Sequence, residues 1–243
     1  MKIDVYLWCQ LFKHPTLVIN SEIIFEDNHL LVVNKMPGEL VQGDKTGDEP
    51  LVEKLKKYIK VKYNKPGEVF LGVVHRLDRP TSGAVVFAKT SKALSRLNEQ
   101  FAKKETIKTY WAIVKNAPEP TIGSLTHYLK KTEANNTSKA YIKEVPGSKI
   151  AILHYATIKK LSNYHLLEIN LETGRHHQIR VQLASIGCPI KGDLKYGAAR
   201  SNPDGSISLH ARKLQIIHPV LKTEMTFVAP LPNDPIWQAC ERI

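Results

Sequence analysis

Cysteine is scarce in this chain of 243 residues: Cys9, Cys188 and Cys240 lie far apart. An odd, scattered set offers neither a disulfide framework nor a CxxC pair, so structural zinc is not expected and a reducing, cytoplasmic setting is. No apolar run approaches the roughly 20 residues of a membrane-spanning helix. The apolar patch Val5 to Phe12 follows Asp4, is interrupted by Gln10 and lacks a small-residue cleavage site, so a secretory signal is not expected. Phosphate-cradling glycine loops are missing too: there is no P-loop signature and no GxGxxG after a strand. The ten histidines include no HExxH and no His/Cys cluster with ligand spacing, and His176 and His177 are merely adjacent. Neither a metal nor a nucleotide cofactor is expected.

What the chain has in excess is positive charge. Lys and Arg number 35 against 23 Asp and Glu, a formal net charge of +12, which favours a polyanionic partner. Basic residues cluster at Lys54, Lys56, Lys57, Lys60, Lys62 and Lys65, at Lys103, Lys104 and Lys108, and at Lys130 and Lys131. Such a run taken alone is more often a solvated helix face than a binding stripe. Apolar residues at 42% and charged residues at 24% describe an ordinary folded domain. No repeat, low-complexity tract or long Ser/Gly linker divides it, so one compact catalytic-sized unit is the simplest organisation.

Ile23–Glu26 and Leu30–Val33 read as paired strands around Asp27-Asn28-His29. Leu51, Leu55, Tyr58 and Ile59 share one face, with lysines opposite, and predict an amphipathic helix over about 50–63. Val73-Val74-His75 and Ala84–Ala88 have strand length and apolarity. A second helix is expected from Ser91, with Leu94, Leu97 and Phe101 inward. Further strands are expected at Thr109–Val114 and near 137–145, 150–160, 164–171, 207–217 and 223–228. From His177 to Ile186 the apolar positions fit a helix only roughly, closed by Gly187 and Pro189. Helices scattered among hairpin-length strands favour an α+β domain on a largely antiparallel sheet.

The segment His75-Arg76-Leu77-Asp78-Arg79-Pro80-Thr81-Ser82-Gly83 is polar and turn-rich between two apolar strands, so its side chains are pinned at both ends. On spacing alone, Asp78 reads as a turn residue paired with Arg76 or Arg79. A second segment changes the balance: Glu172-Thr173-Gly174-Arg175-His176-His177-Gln178-Ile179-Arg180-Val181-Gln182-Leu183-Ala184, followed by Gly187-Cys188-Pro189-Ile190-Lys191-Gly192-Asp193-Leu194-Lys195-Tyr196-Gly197. HRLDRPTSG, KTYWAIV, TGRHHQIRVQLA and GCPIKGDLKYG, in that order, resemble the RluA-type family of RNA pseudouridine synthases, over about Ile23 to Leu231.

The resemblance implies that family's catalytic fold, a largely antiparallel mixed sheet flanked by helices and loops around a central RNA-binding cleft. It implies Asp78 as the catalytic aspartate, Tyr110 as the active-site tyrosine and Arg180 as the basic partner of the aspartate. Arg76 matches the arginine that such enzymes push into the RNA stack. His75, Arg79, Thr81, Gly174, Arg175, His177 and Gln178 fall in the same motifs and are expected to contact substrate or RNA. Leu209-His210-Ala211 and His218-Pro219 resemble the closing motif and are expected to help line the pocket. The chain departs from the pattern at Gln182, where many relatives have histidine, and at His176, where threonine or serine is usual. Residues 1–22 are expected to be an N-terminal extension and 23–243 the catalytic domain, without the RNA-binding domain of the S4 type that members often carry.

The implied reaction breaks the bond between the anomeric carbon and uracil, turns the base and rejoins it through ring carbon 5. Nothing is oxidised or consumed, so no cofactor is needed, and a carboxylate can act as nucleophile or stabilise a developing sugar cation. The partner is then ribosomal or transfer RNA, bound by a monomer with no membrane association. Two other readings compete: a noncatalytic RNA-binding or assembly factor on the same fold, against which the intact motifs argue, and a base-excising glycosidase acting at the same carbon.

Overall fold

The computed structural model describes residues 21–241. The expected extension over 1–22 lies outside them apart from Ser21 and Glu22, as do Cys9 and the patch Val5 to Phe12. The elements run β1 (Glu22–Glu26), β2 (Leu30–Lys35), α1 (Leu51–Lys62), β3 (Gly72–Val73), β4 (Ser82–Ala88), α2 (Ser91–Ala102), β5 (Ile107–Val114), β6 (Ile122–Thr132), β7 (Thr137–Tyr141), β8 (Lys149–Lys160), β9 (His165–Leu171), α3 (Gln178–Ser185), β10 (Leu209–Ile217), β11 (Glu224–Val228) and α4 (Pro235–Glu241). Nine strands form the path β1-β2-β4-β10-β5-β9-β8-β6-β7, with β11 on β10 and β3 on β4. Every pairing is antiparallel except β4 with β10, so the α+β reading holds.

Alternation sorts each strand into two faces. In β2 and β4, Leu31, Val33, Val85 and Phe87 pack with α1 and with Ile179 and Leu183 of α3. Leu30, Val32, Ala84, Val86 and Ala88 pack instead with Ala93 and Leu97 of α2. Helix α2 begins at Ser91, but its cap is Thr90, whose hydroxyl accepts from the Ala93 N–H. The parallel junction lies at the start of β4, where His210 and Ala211 pair with Ser82 and Gly83. Gly83 has φ +118°, and a Cβ there would run into the backbone of Ala211. Only glycine lets the two strands approach at this point.

Three expectations need correction. The strand at Val73-Val74-His75 stops at Val73, because the next donor on β4, the Val86 N–H, is taken by Nε2 of His75 at 3.1 Å. The strand expected over 137–145 ends at Tyr141. Strand β6 was not anticipated, since its eleven residues include Gly123, Ser124, Thr126 and two lysines, and it buries only Leu129. Its period of two is nevertheless real, with Leu125 packed toward the main core.

Candidate active site

The segment 74–81 leaves β3, crosses the sheet and enters β4 at the parallel junction. A tight turn closes it, the Thr81 N–H donating to the Asp78 carbonyl at 3.0 Å, and the Ile207 N–H donates to the Pro80 carbonyl. Underneath, Nζ of the fully buried Lys35 donates to the carbonyls of Met36 and Arg79, at 2.9 and 3.1 Å. Burial, against the charges of Glu39 and Asp78, pulls that lysine down to about 7. Asp78 is thereby presented over the centre of the sheet with little conformational freedom.

Helix α3 delivers the second half. It is buried on nearly all sides at Gln178, Ile179, Arg180, Val181, Gln182 and Leu183, which is why no apolar stripe announced it. Arg180 Nη1 donates to Asp78 Oδ2 at 2.9 Å, joining residues 102 positions apart. Its Nε and Nη2 donate to Oδ2 and Oδ1 of Asp193, at 2.7 and 2.9 Å. The two-pronged contact thus goes to Asp193, which was quoted in a motif but given no role. Burial opposes the charged guanidinium, but the hydrogen bonds and charges of Asp193 and Asp78 outweigh it and raise its pKa. Gly192, at φ +87°, lets the preceding backbone pass Ser206, whose carbonyl a Cβ would meet at 2.7 Å, and so positions Asp193.

His177 enters α3 in the left-handed region, φ +53°. Its Nε2 stands 3.7 Å from Asp78 Oδ2, and its Nδ1 lies 2.8 Å from the Tyr196 hydroxyl. That hydroxyl also accepts from the Ser138 N–H at 2.8 Å, so Tyr196 ties the His177 ring to β7 and fixes its orientation beside Asp78. Burial drives His177 down to about 3, against the pull of Asp78, so the ring is neutral. The His176 ring stacks on it at 3.8 Å and is held by the Ser138 hydroxyl. The departure at Gln182 lies elsewhere: its amide donates to the carbonyls of Leu125 and Ala151, tying α3 to β6 and β8.

A cavity of about 120 Å³ opens here, lined by Arg76, Leu77, Asp78, Thr81, Tyr110, Leu171, Gly174, Arg175, His177, Gln178, Ile179, Arg180 and Leu209. Pockets for drug-sized ligands run from roughly 300 Å³ upward, so this one suits a single base. The three expected catalytic residues, Asp78, Tyr110 and Arg180, meet in it. Tyr110 is buried, and burial together with the Asp78 charge pushes its phenol up. Of the expected RNA contacts, Arg76, Thr81, Gly174, Arg175, His177 and Gln178 line it as well. Gln178 spends its amide internally, accepting from the Thr173 hydroxyl and Arg175 N–H and donating to the Ile152 carbonyl. The wall residues Leu77, Leu171 and Ile179 carried no signal beyond apolarity.

Other expected site residues lie away from the cavity. His75 stacks on Phe101 at 4.9 Å, and burial, with Lys108 nearby, lowers it to about 3. Arg79 pairs with Asp48 at 2.7 Å and donates to the Gly38 carbonyl. His210 bonds to the Ser82 hydroxyl at 2.8 Å and packs near Trp237, and His218 pairs with Asp27 at 2.8 Å. These two histidines pin strand ends and do not line the pocket; of the closing motif only Leu209 does.

The cavity thus combines a clamped carboxylate, a buried tyrosine and two further arginines, Arg76 and Arg175, an arrangement that can take a flat, neutral ring attached to an anionic chain. Comparison with known proteins agrees. The RNA pseudouridylate synthase family pattern matches residues 29–185. The chain is 37% identical over 226 residues to ribosomal large subunit pseudouridine synthase D of Zymomonas mobilis, covering 89% of this chain and 71% of that protein. It is 34% identical to an RNA pseudouridine synthase of Synechocystis, covering 88% of this chain and 66% of the relative's length. Among solved structures, human RNA pseudouridylate synthase domain containing 4 superposes with a TM-score of 0.73 at 26% identity, covering 87% of this chain and 89% of that one. The chain belongs to the RNA pseudouridylate synthase family, whose members are isomerases acting on RNA.

Proposed function

We propose that this protein isomerises uridine to pseudouridine in ribosomal or transfer RNA, with Asp78 as its catalytic carboxylate. The observation that carries this reading is the convergence of Asp78, Arg180 and Tyr110 on one base-sized cavity. Asp78 Oδ2 takes the contact from Arg180, while Oδ1 has no hydrogen-bond partner among the described residues and is free for the substrate. An anionic oxygen beside the anomeric carbon can bond to it or stabilise its positive charge, and the freed uracil can turn while it remains enclosed.

The buried face of Tyr110 gives the base a stacking surface, worth about 1–3 kcal/mol in single-strand binders. A stacked uridine hides its sugar bond, so the nucleotide must leave the helix at a cost of a few kcal/mol, and Arg76, exposed at the cavity and without an ion-pair partner among the described residues, fills the gap. Arg175 and the basic surface hold the backbone through contacts that carry little sequence information. His177, with Nε2 at 3.7 Å from Asp78 Oδ2, helps to orient the carboxylate. The catalytic unit is residues 23–243, and it works in the cytoplasm as a monomer. The test is incubation of purified protein with structured transcripts, with neither metal nor nucleotide added, followed by pseudouridine mapping. Pseudouridine at defined positions is the expected product. Free uracil and an abasic sugar would make it a glycosidase, and binding without conversion of any native RNA would make it a noncatalytic factor.

A further inference from the structure

Lys108 is a half-buried cation that the fold does not neutralise. It lies on β5 two residues before Tyr110 and therefore on the same strand face. Its Nζ stands 5.7 Å from the ring centre of Phe101 on α2. A methyl group placed on Gly174, a residue of the cavity wall, would be 4.0 Å from that nitrogen. Burial, helped by Lys104, pulls the ammonium below the ordinary lysine range. Among the described residues it has no carboxylate and no hydrogen-bond acceptor. Three other lysines withdrawn from solvent have oxygen partners: Lys35 two carbonyls, Lys89 Glu26 and Lys191 Asn202. Arg76 and Arg175, next in the chain to His75 and Gly174, line the cavity and have no carboxylate partner among the described residues, Arg175 committing its Nε to the Ile150 carbonyl.

A desolvated charge without a counter-charge is unfavourable, and it is tolerated where a ligand brings the missing sign. A base lodged against Tyr110 leaves its sugar and phosphates at the rim, where Lys108 and Gly174 meet. We propose that Lys108 is the seat of a phosphate subsite, its ammonium taking one phosphodiester group adjacent to the uridine whose base enters the cavity. This deepens the function proposed above and rests on it. Gly174 belongs to the same subsite, since a side chain there would fill the space between Lys108 and the cavity.

The test uses the full chain and a structured transcript that wild type binds, with the phosphates flanking the bound uridine replaced one at a time by neutral methylphosphonates. One replacement should weaken binding to wild type about tenfold, the size of a charge-assisted contact, and leave binding to Lys108→Met unchanged. Lys108→Met should also flatten the plot of log affinity against log salt by about 0.7–0.9, one phosphate contact, whereas Lys213→Met, on the opposite sheet face, should not flatten it by more than half as much. Lys108→Gln gives the same reading with a polar side chain, and both variants should melt no lower than wild type. If every methylphosphonate weakens wild type and variant equally, or if the variants lose stability and affinity together, Lys108 is structural and the subsite is wrong. Should wild type bind RNA through Lys108 yet form no pseudouridine, the subsite stands and the isomerase reading falls.

Discussion

Arg180 gives Asp193 two hydrogen bonds, at 2.7 and 2.9 Å, and spares a single one for Asp78. The buried Asp193 neutralises and orients the guanidinium, so the arginine reaches the cavity already aimed. Asp78, with 29% of its side chain exposed, is held at one oxygen only. Removing either carboxylate therefore has different consequences. Asp193→Asn leaves a buried guanidinium short of its main partner and should cost about 3 kcal/mol in urea unfolding, with slowed turnover. Asp78→Asn should cost less than about 1 kcal/mol, because Asp193 still neutralises the arginine. Equal losses would mean that Arg180 is not anchored by Asp193.

Turnover should divide the same pair in the opposite order. Asp78→Asn is expected to abolish pseudouridine formation while RNA affinity stays within several-fold of wild type. Retained activity in this variant would remove Asp78 from the reaction. Arg180→Lys keeps the charge but loses the planar fork that reaches two carboxylates at once, and single-turnover rates should fall about 10²-fold. A lysine variant with wild-type rates would show that charge alone suffices.

The pH dependence follows from the neutral state of the surrounding groups. His177 lies at about 3 and the Tyr110 phenol is raised, so neither changes charge between about pH 6 and pH 9. Neither should therefore put an inflection into single-turnover rates across that window, where the group that does change charge is Lys35, pulled down to about 7 beneath the Asp78 turn. An inflection near pH 6.5 that disappears in His177→Gln would reveal a titrating His177, and a rate rising with pH and abolished by Tyr110→Phe would reveal a phenolate base.

Stability should be sensitive to acid through His210. Burial lowers this ring to about 4, whereas in the unfolded chain it titrates near the ordinary histidine value of 6.5, so acid protonates the unfolded state first. Its contribution is complete above about pH 6.5 and is lost as pH falls toward 4, amounting to about 2 kcal/mol between about pH 7 and pH 5. His210→Gln should be less stable at neutral pH, having lost the fit to Ser82, and should show a flatter pH dependence in urea denaturation. An unchanged slope would place the acid sensitivity on other groups.

Local pattern made much of the fold readable. The pairing of β1 with β2, the face of α1 formed by Leu51, Leu55 and Ile59, and strands β4, β5, β8 and β9 all follow from periodicity within about a dozen residues. The candidate site was legible as ordered motifs, which named Asp78, Tyr110 and Arg180 before any geometry was known. His75, Arg79, His210 and His218 lie in the motifs yet do not line the cavity, because a residue of a recognisable segment can hold that segment in place. The motifs underreached at Asp193 and Lys108, which lay within them with no role attached.

By itself the amino-acid sequence determined the α+β class, the excess of positive charge and the family, since each is written in short-range order and composition. Tertiary structure alone decided which carboxylate takes the two-pronged arginine contact, which histidine stands beside Asp78 and which lysine lies against the cavity wall without a carboxylate partner among the described residues. These depend on side chains brought together from distant parts of the chain, as with Asp78 and Arg180, 102 residues apart. Hydrogen bonding and desolvation act at a few ångströms in space, a distance that linear spacing does not encode.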